Sequence, residues 1–134
     1  MKKILTVFVL CCLLLGAFSI SAFAQDNYGV MPCYDNVSRI LLDLTFDGTA
    51  GNVLGTATKV SGVTSLEGTI ELYEEIGGEW VSAGSWSNDT TGRNLVVSAD
   101  FTATANRRYK AVFTITAYGT TTETITTETI ETCA

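Results

Sequence analysis

Leu66-Glu67-Gly68-Thr69-Ile70-Glu71-Leu72-Tyr73-Glu74-Glu75-Ile76-Gly77-Gly78-Glu79-Trp80-Val81-Ser82-Ala83-Gly84-Ser85-Trp86 contains two runs of alternating apolar and polar residues around a glycine pair. Side chains alternate faces along a strand, so a half-buried strand repeats with period two rather than the 3.6 of a helix. Paired glycines supply the positive φ angles that the tightest hairpin turn demands. The stretch therefore predicts a β-hairpin, and the length of its loop decides what the second strand exposes. With a two-residue loop, Leu72 faces Ala83 and Ile70 faces Ser85 on the core side. Trp80, Trp86, Tyr73, Glu71 and Glu75 then share the outer face. A three-residue loop ending at Gly78 shifts the register by one and turns both tryptophans inward. Val81 and Ala83 suit a core face, which favours the outer placement.

The same alternation extends in both directions. Ser38-Ile40-Leu42-Leu44-Phe46 forms one face and stops at Asp47-Gly48, and a glycine-interrupted run follows over Asn52–Val60. After the hairpin come Leu95–Thr102, Arg108–Tyr118 and Thr122–Glu131, with Tyr109, Ala111, Phe113, Ile115 and Ala117 on one side of the second of these. No helix-period segment interrupts them. Seven strands bounded by Gly, Asn, Asp and Ser clusters predict an all-β, antiparallel β-sandwich, with a small barrel as the second possibility. Tyr109, two residues before Ala111 at the start of the sixth strand, stands where immunoglobulin-like domains build a tyrosine corner. Ala111 takes the place of their second cysteine.

The chain divides as 1–24, 25–36 and 37–134. Lys2 and Lys3 precede an uncharged apolar run from Ile4 to Ile20, and Ala22-Phe23-Ala24 is a small–any–small cleavage pattern. Residues 1–24 are thus a signal peptide, 25–36 a lead segment and 37–134 the sandwich, exported into the extracellular medium. With no Leu-Pro-x-Thr-Gly signal and no apolar tail, the mature chain is expected to be released, with no membrane association after cleavage. Cleavage removes two of the eight basic residues and none of the fourteen acidic ones, leaving a net charge of −8. Such a charge excludes nucleic acid as a partner, because nothing in bulk balances its phosphates. Cys33 and Cys133 remain in the mature chain, and an even count in an exported protein points to a disulfide between them, inter-chain bridges being the alternative. The intramolecular bond is the expected one, on the condition that the lead segment or the tail folds back, because seven antiparallel strands put the two ends of the chain at opposite ends of the sandwich.

Met31-Pro32-x-Tyr34, Gly48-x-Ala50, Leu72 with Gly78-x-Trp80, Trp86-Ser87, Tyr109-Lys110-Ala111 and Glu123 occur together between Met31 and Glu128. In these motifs the chain resembles a family of small secreted Firmicute proteins built on a domain of unknown function. The resemblance implies an immunoglobulin-like sandwich, export from a Gram-positive bacterium and no established activity. Cys133 lies beyond the resembling stretch.

Catalytic chemistry finds no support in the residue types. The chain has no histidine, which removes imidazole-activated nucleophiles and imidazole metal ligands, and it has no phosphate-binding glycine loop. Glu71, Glu75 and Asp100 could supply the carboxylate pair of a glycosidase, but solvated strand-face charges are the simpler reading. Asn88-Asp89 lacks the spaced acidic pattern of a calcium loop. No cofactor or metal site is expected. The feature pointing to binding is Trp80, Trp86 and Tyr73, an aromatic platform for a sugar or a partner protein if all three lie outside. The residues thus predict a non-enzymatic extracellular binding module for an unidentified protein or glycan. The alternatives are a carbohydrate-binding module centred on Trp80 and Trp86, and a structural component of the cell envelope or spore surface. Eight threonines over Thr120–Thr132 suit an edge strand, or in a wider array a surface-binding face. Asn36-Val37-Ser38 and Asn88-Asp89-Thr90 are formal glycosylation sequons, expected to be unused in a bacterial protein.

Overall fold

The structure, a computed structural model, describes residues 33–134; the expected signal peptide, 1–24, and most of the expected lead segment lie outside the described residues. Seven strands run β1 (Val37–Asp47), β2 (Ala50–Lys59), β3 (Ser65–Ile76), β4 (Glu79–Thr90), β5 (Asn94–Thr102), β6 (Arg108–Tyr118) and β7 (Thr122–Thr132). All pairings are antiparallel, and they form one sheet of order β1-β2-β5 and another of order β4-β3-β6-β7. This is the all-β, antiparallel sandwich that the alternation predicts. In constant-type immunoglobulin domains the fourth strand belongs to the first sheet. Here a tight turn holds β4 on β3 instead. Gly77 and Gly78 have φ of 60° and 83°, the two positive angles of a two-residue type I′ hairpin.

Inward-facing residues meet between the layers. Leu44, Val53, Ala57, Leu95 and Val97 of the first sheet pack on Leu66, Ile70, Leu72, Ala111, Phe113, Ile115 and Ile125 of the second. Phe113 occupies the centre, and glycines make room for it. A Cβ on Gly55 would lie 2.9 Å from its ring, and one on Gly68 would lie 2.8 Å from the ring and 2.6 Å from Leu95. The glycines that interrupt the alternation in β2 and β3 are thus packing positions.

Tyr109 is buried and builds the corner expected of it. Its hydroxyl accepts the Thr104 N–H at 2.7 Å and donates to Glu74 at 3.0 Å, while Arg107 pairs with the same carboxylate at 3.3 Å. At the other end of the sandwich, Glu123 accepts the backbone N–H groups of Asn36 at 2.9 Å and Asp35 at 3.3 Å. Asn36 is itself buried and donates to the Thr121 carbonyl, so its sequon is closed in the folded chain.

The intramolecular disulfide is not formed. Cys33 is exposed, whereas Cys133 is wholly buried with its thiol donating to the Gly48 carbonyl at 3.2 Å. Cys33 enters at the Glu123 end of β1 and Cys133 sits beside the turn at its far end. The eleven residues of β1 separate these ends by about 35 Å. Doubling back from Val37 to Cys33 recovers at most about 14 Å, and a disulfide needs Cα atoms within about 7 Å.

Candidate functional site

The outer face of the β4-β3-β6-β7 sheet carries the aromatic residues singled out in the sequence, but not all of them. From the turn as far as Tyr73, the hairpin keeps the register of a two-residue loop, pairing Glu75 with Trp80 and Tyr73 with Ser82. The register then shifts, so that Leu72 faces Gly84 and Ile70 faces Trp86. Ala83 is the extra residue, a β-bulge that reverses the facing of everything after it. Trp80 therefore stands on the outer face and Trp86 on the inner one. Trp86 lies over Gly84 and tilts against Phe101, with ring centroids 6.4 Å apart, and Phe101 in turn packs on Phe46 and Tyr109. The shared outer placement of the two tryptophans is corrected accordingly. Nor do Val81 and Ala83 join the core: Ala83 is taken up by the bulge, and Val81 faces inward but lies uncovered and exposed.

Trp80 and Tyr73 do come together. Tyr73 pairs with Lys110 of β6, and the Lys110 ammonium lies 5.2 Å from the Tyr73 ring centre and 4.7 Å from that of Trp80. The Arg108 guanidinium lies 5.7 Å from the Trp80 ring and pairs with Glu75 at 3.2 Å. Beyond Lys110 on the same row stands Ile130, 40% exposed. The patch is thus a cation–π cluster with an aliphatic margin. Rings with cations over them are less free to stack on a sugar, and with Trp86 removed there is no tandem tryptophan platform. Arg108, Lys110 and Ile130 escape sequence reasoning, because only the register of β3 on β6 and of β6 on β7 places them beside Tyr73 and Trp80.

The carboxylates do not converge. Glu71 accepts the Tyr73 hydroxyl at 3.0 Å, Glu75 holds Arg108, and Asp100 holds Asn52 at 2.7 Å on the outer face of the other sheet. The hydrogen bond to Glu71, with smaller contributions from desolvation and the Glu71 charge, pushes the Tyr73 pKa above the usual tyrosine value. Glu67 acts in the same way on Tyr118. Asn88 donates to the Val96 carbonyl at 2.8 Å and its side-chain oxygen accepts the Asp89 N–H. Among the described residues no three acidic or cysteine side chains are grouped to hold a metal ion. Further along the outer face, Ser87–Thr69, Thr114–Thr126 and Thr116–Thr124 hydroxyl pairs lie 2.8, 3.4 and 3.4 Å apart, so the threonines of β7 continue onto β6 and β3.

No family model and no curated protein matches the chain.

Proposed function

We propose that this chain is an exported, non-enzymatic binding module that engages an extracellular protein through the outer face of its four-stranded sheet. The observation that carries this reading is the Tyr73–Trp80–Lys110–Arg108 cluster with exposed Ile130 beside it. Tryptophan, tyrosine and arginine dominate the energetics of protein interfaces, and an open sheet face suits a broad macromolecular surface better than a small molecule. Export rests on the leader at Met1–Ala24 and on the resemblance to secreted Firmicute proteins. The test is retention of labelled mature protein on intact cells of the exporting species. Trp80→Ala and Lys110→Glu should each lower retention at least tenfold, while Trp86→Phe leaves it unchanged. Equal retention of all forms would overturn the reading, and binding to a glycan array that survives Lys110→Glu would favour the carbohydrate alternative.

A further inference from the structure

The six basic residues of the mature chain lie three at each end of the sandwich. Arg107 and Arg108 pair with Glu74 and Glu75, and Lys110 covers the aromatic rings. At the other end stand Arg39, Lys59 and Arg93, and none of them forms an ion pair among the described residues. Lys59 and Arg93 line an open groove of about 460 Å³ together with Ser38, Val60, Ser61, Gly62 and Val63, and no carboxylate lines it. Against a net charge of −8 for residues 25–134, a groove whose charged lining is wholly cationic is an inversion of sign.

The Lys59 ammonium is held in place by the Thr91 carbonyl at 2.7 Å and the Thr64 carbonyl at 3.1 Å. An ammonium has three donors, so one N–H remains for a ligand and the positive charge is not neutralised. The Lys59 N–H bonds the Arg93 carbonyl at 3.0 Å, which ties the two cationic residues side by side. Arg93 adds the planar fork that matches phosphate oxygens, and Ser61 adds an exposed hydroxyl. The Ser38 hydroxyl is committed to the Thr58 carbonyl at 3.2 Å. The Asp35 and Asn36 amides near this end are likewise held by Glu123, which occupies that carboxylate.

We infer that this groove binds a phosphate group, with Lys59 and Arg93 as its cationic clamp and Ser61 as a hydroxyl donor. The groove is larger than a bare anion, so it has room for the organic part of a phosphate ester against Val60 and Val63. Charges more than about 8 Å away are largely screened at physiological salt, and the charged side chains lining the groove itself are Lys59 and Arg93.

The test is titration of the mature protein with inorganic phosphate and with glycerol phosphate, followed by amide NMR, with sodium chloride at matched ionic strength as the control. Saturable shifts at Ser61, Gly62 and Arg93 in the millimolar range are expected. Arg93→Gln should weaken them at least tenfold with an unchanged spectrum elsewhere, and Arg107→Gln at the far end should leave them intact. Tighter binding of glycerol phosphate assigns the site to an ester, and equal binding assigns it to the free anion. Shifts reproduced by chloride, or unaffected by Arg93→Gln, would overturn the inference.

Discussion

Trp80 and Trp86 lie on one strand at an even separation, yet they face opposite sides of the sheet because Ala83 is one residue too many for the ladder. Regular alternation would put them together. One bulge gives Trp86 to the core edge and leaves Trp80 to the surface, and this division determines which residues are available for recognition.

The two tryptophans should therefore differ in their effect on stability. A fully buried tryptophan cut to alanine costs about 3–5 kcal/mol; Trp86 is only half-buried against Phe101, so Trp86→Ala should cost about 2–3 kcal/mol. Trp80→Ala removes cation–π contacts to Lys110 and Arg108 on the outer face, with no ring stacked on it from the other sheet, and should cost about 1 kcal/mol. Urea unfolding of both variants measures the difference.

Tyr109→Phe should destabilise the fold by about 1–3 kcal/mol, since it removes the acceptor of the part-buried Thr104 N–H and leaves Glu74 with Arg107 as its remaining partner. Tyr73→Phe removes a hydrogen bond of similar length on the surface and should be close to neutral. The same urea titration compares them.

Cys33 should react with a thiol reagent at the rate of an exposed cysteine, and Cys133 should react only when the chain unfolds. Mass spectrometry of mature protein purified without reductant should find no Cys33–Cys133 bridge within one chain.

Tyr73 and Tyr118 should ionise above the ordinary tyrosine range, because each neutral phenol donates to a carboxylate that its anion would repel. With the folded pKa raised, these contacts act in full below the unfolded tyrosine value of about 10 and are lost as pH rises through the folded value. Ring-proton NMR resonances of Tyr73 and Tyr118 should titrate above the ordinary tyrosine range. Glu71→Gln and Glu67→Gln should each move one of these titrations down.

The architecture was legible because period-two alternation and the Gly77-Gly78 pair act locally, and Tyr109 because its place at the start of a long apolar strand has a known structural use. The bulge at Ala83 was not legible. Ala-Gly in a serine-rich strand has no side-chain signature for an extra residue, and the choice is made by Trp86 finding Phe101 across the sandwich. Counting cysteines suggests a bond that needs one end of the chain to fold back, and the burial of Cys133 beside Gly48, at the far end of β1 from Cys33, keeps the two apart. The cationic partners of Trp80 depended on β6, whose register against β3 is set by burial of Ala111 and Phe113 on the opposite face.

The most direct measurement is the set of proton–proton contacts from each indole ring in a nuclear Overhauser spectrum of the mature protein. Contacts from Trp86 to Phe101, with contacts from Trp80 to the Lys110 side chain, are the predicted result. Contacts from Trp86 to the outer-face residues Glu71 or Val112, with none to Phe101, would contradict the bulge and the binding face built on it.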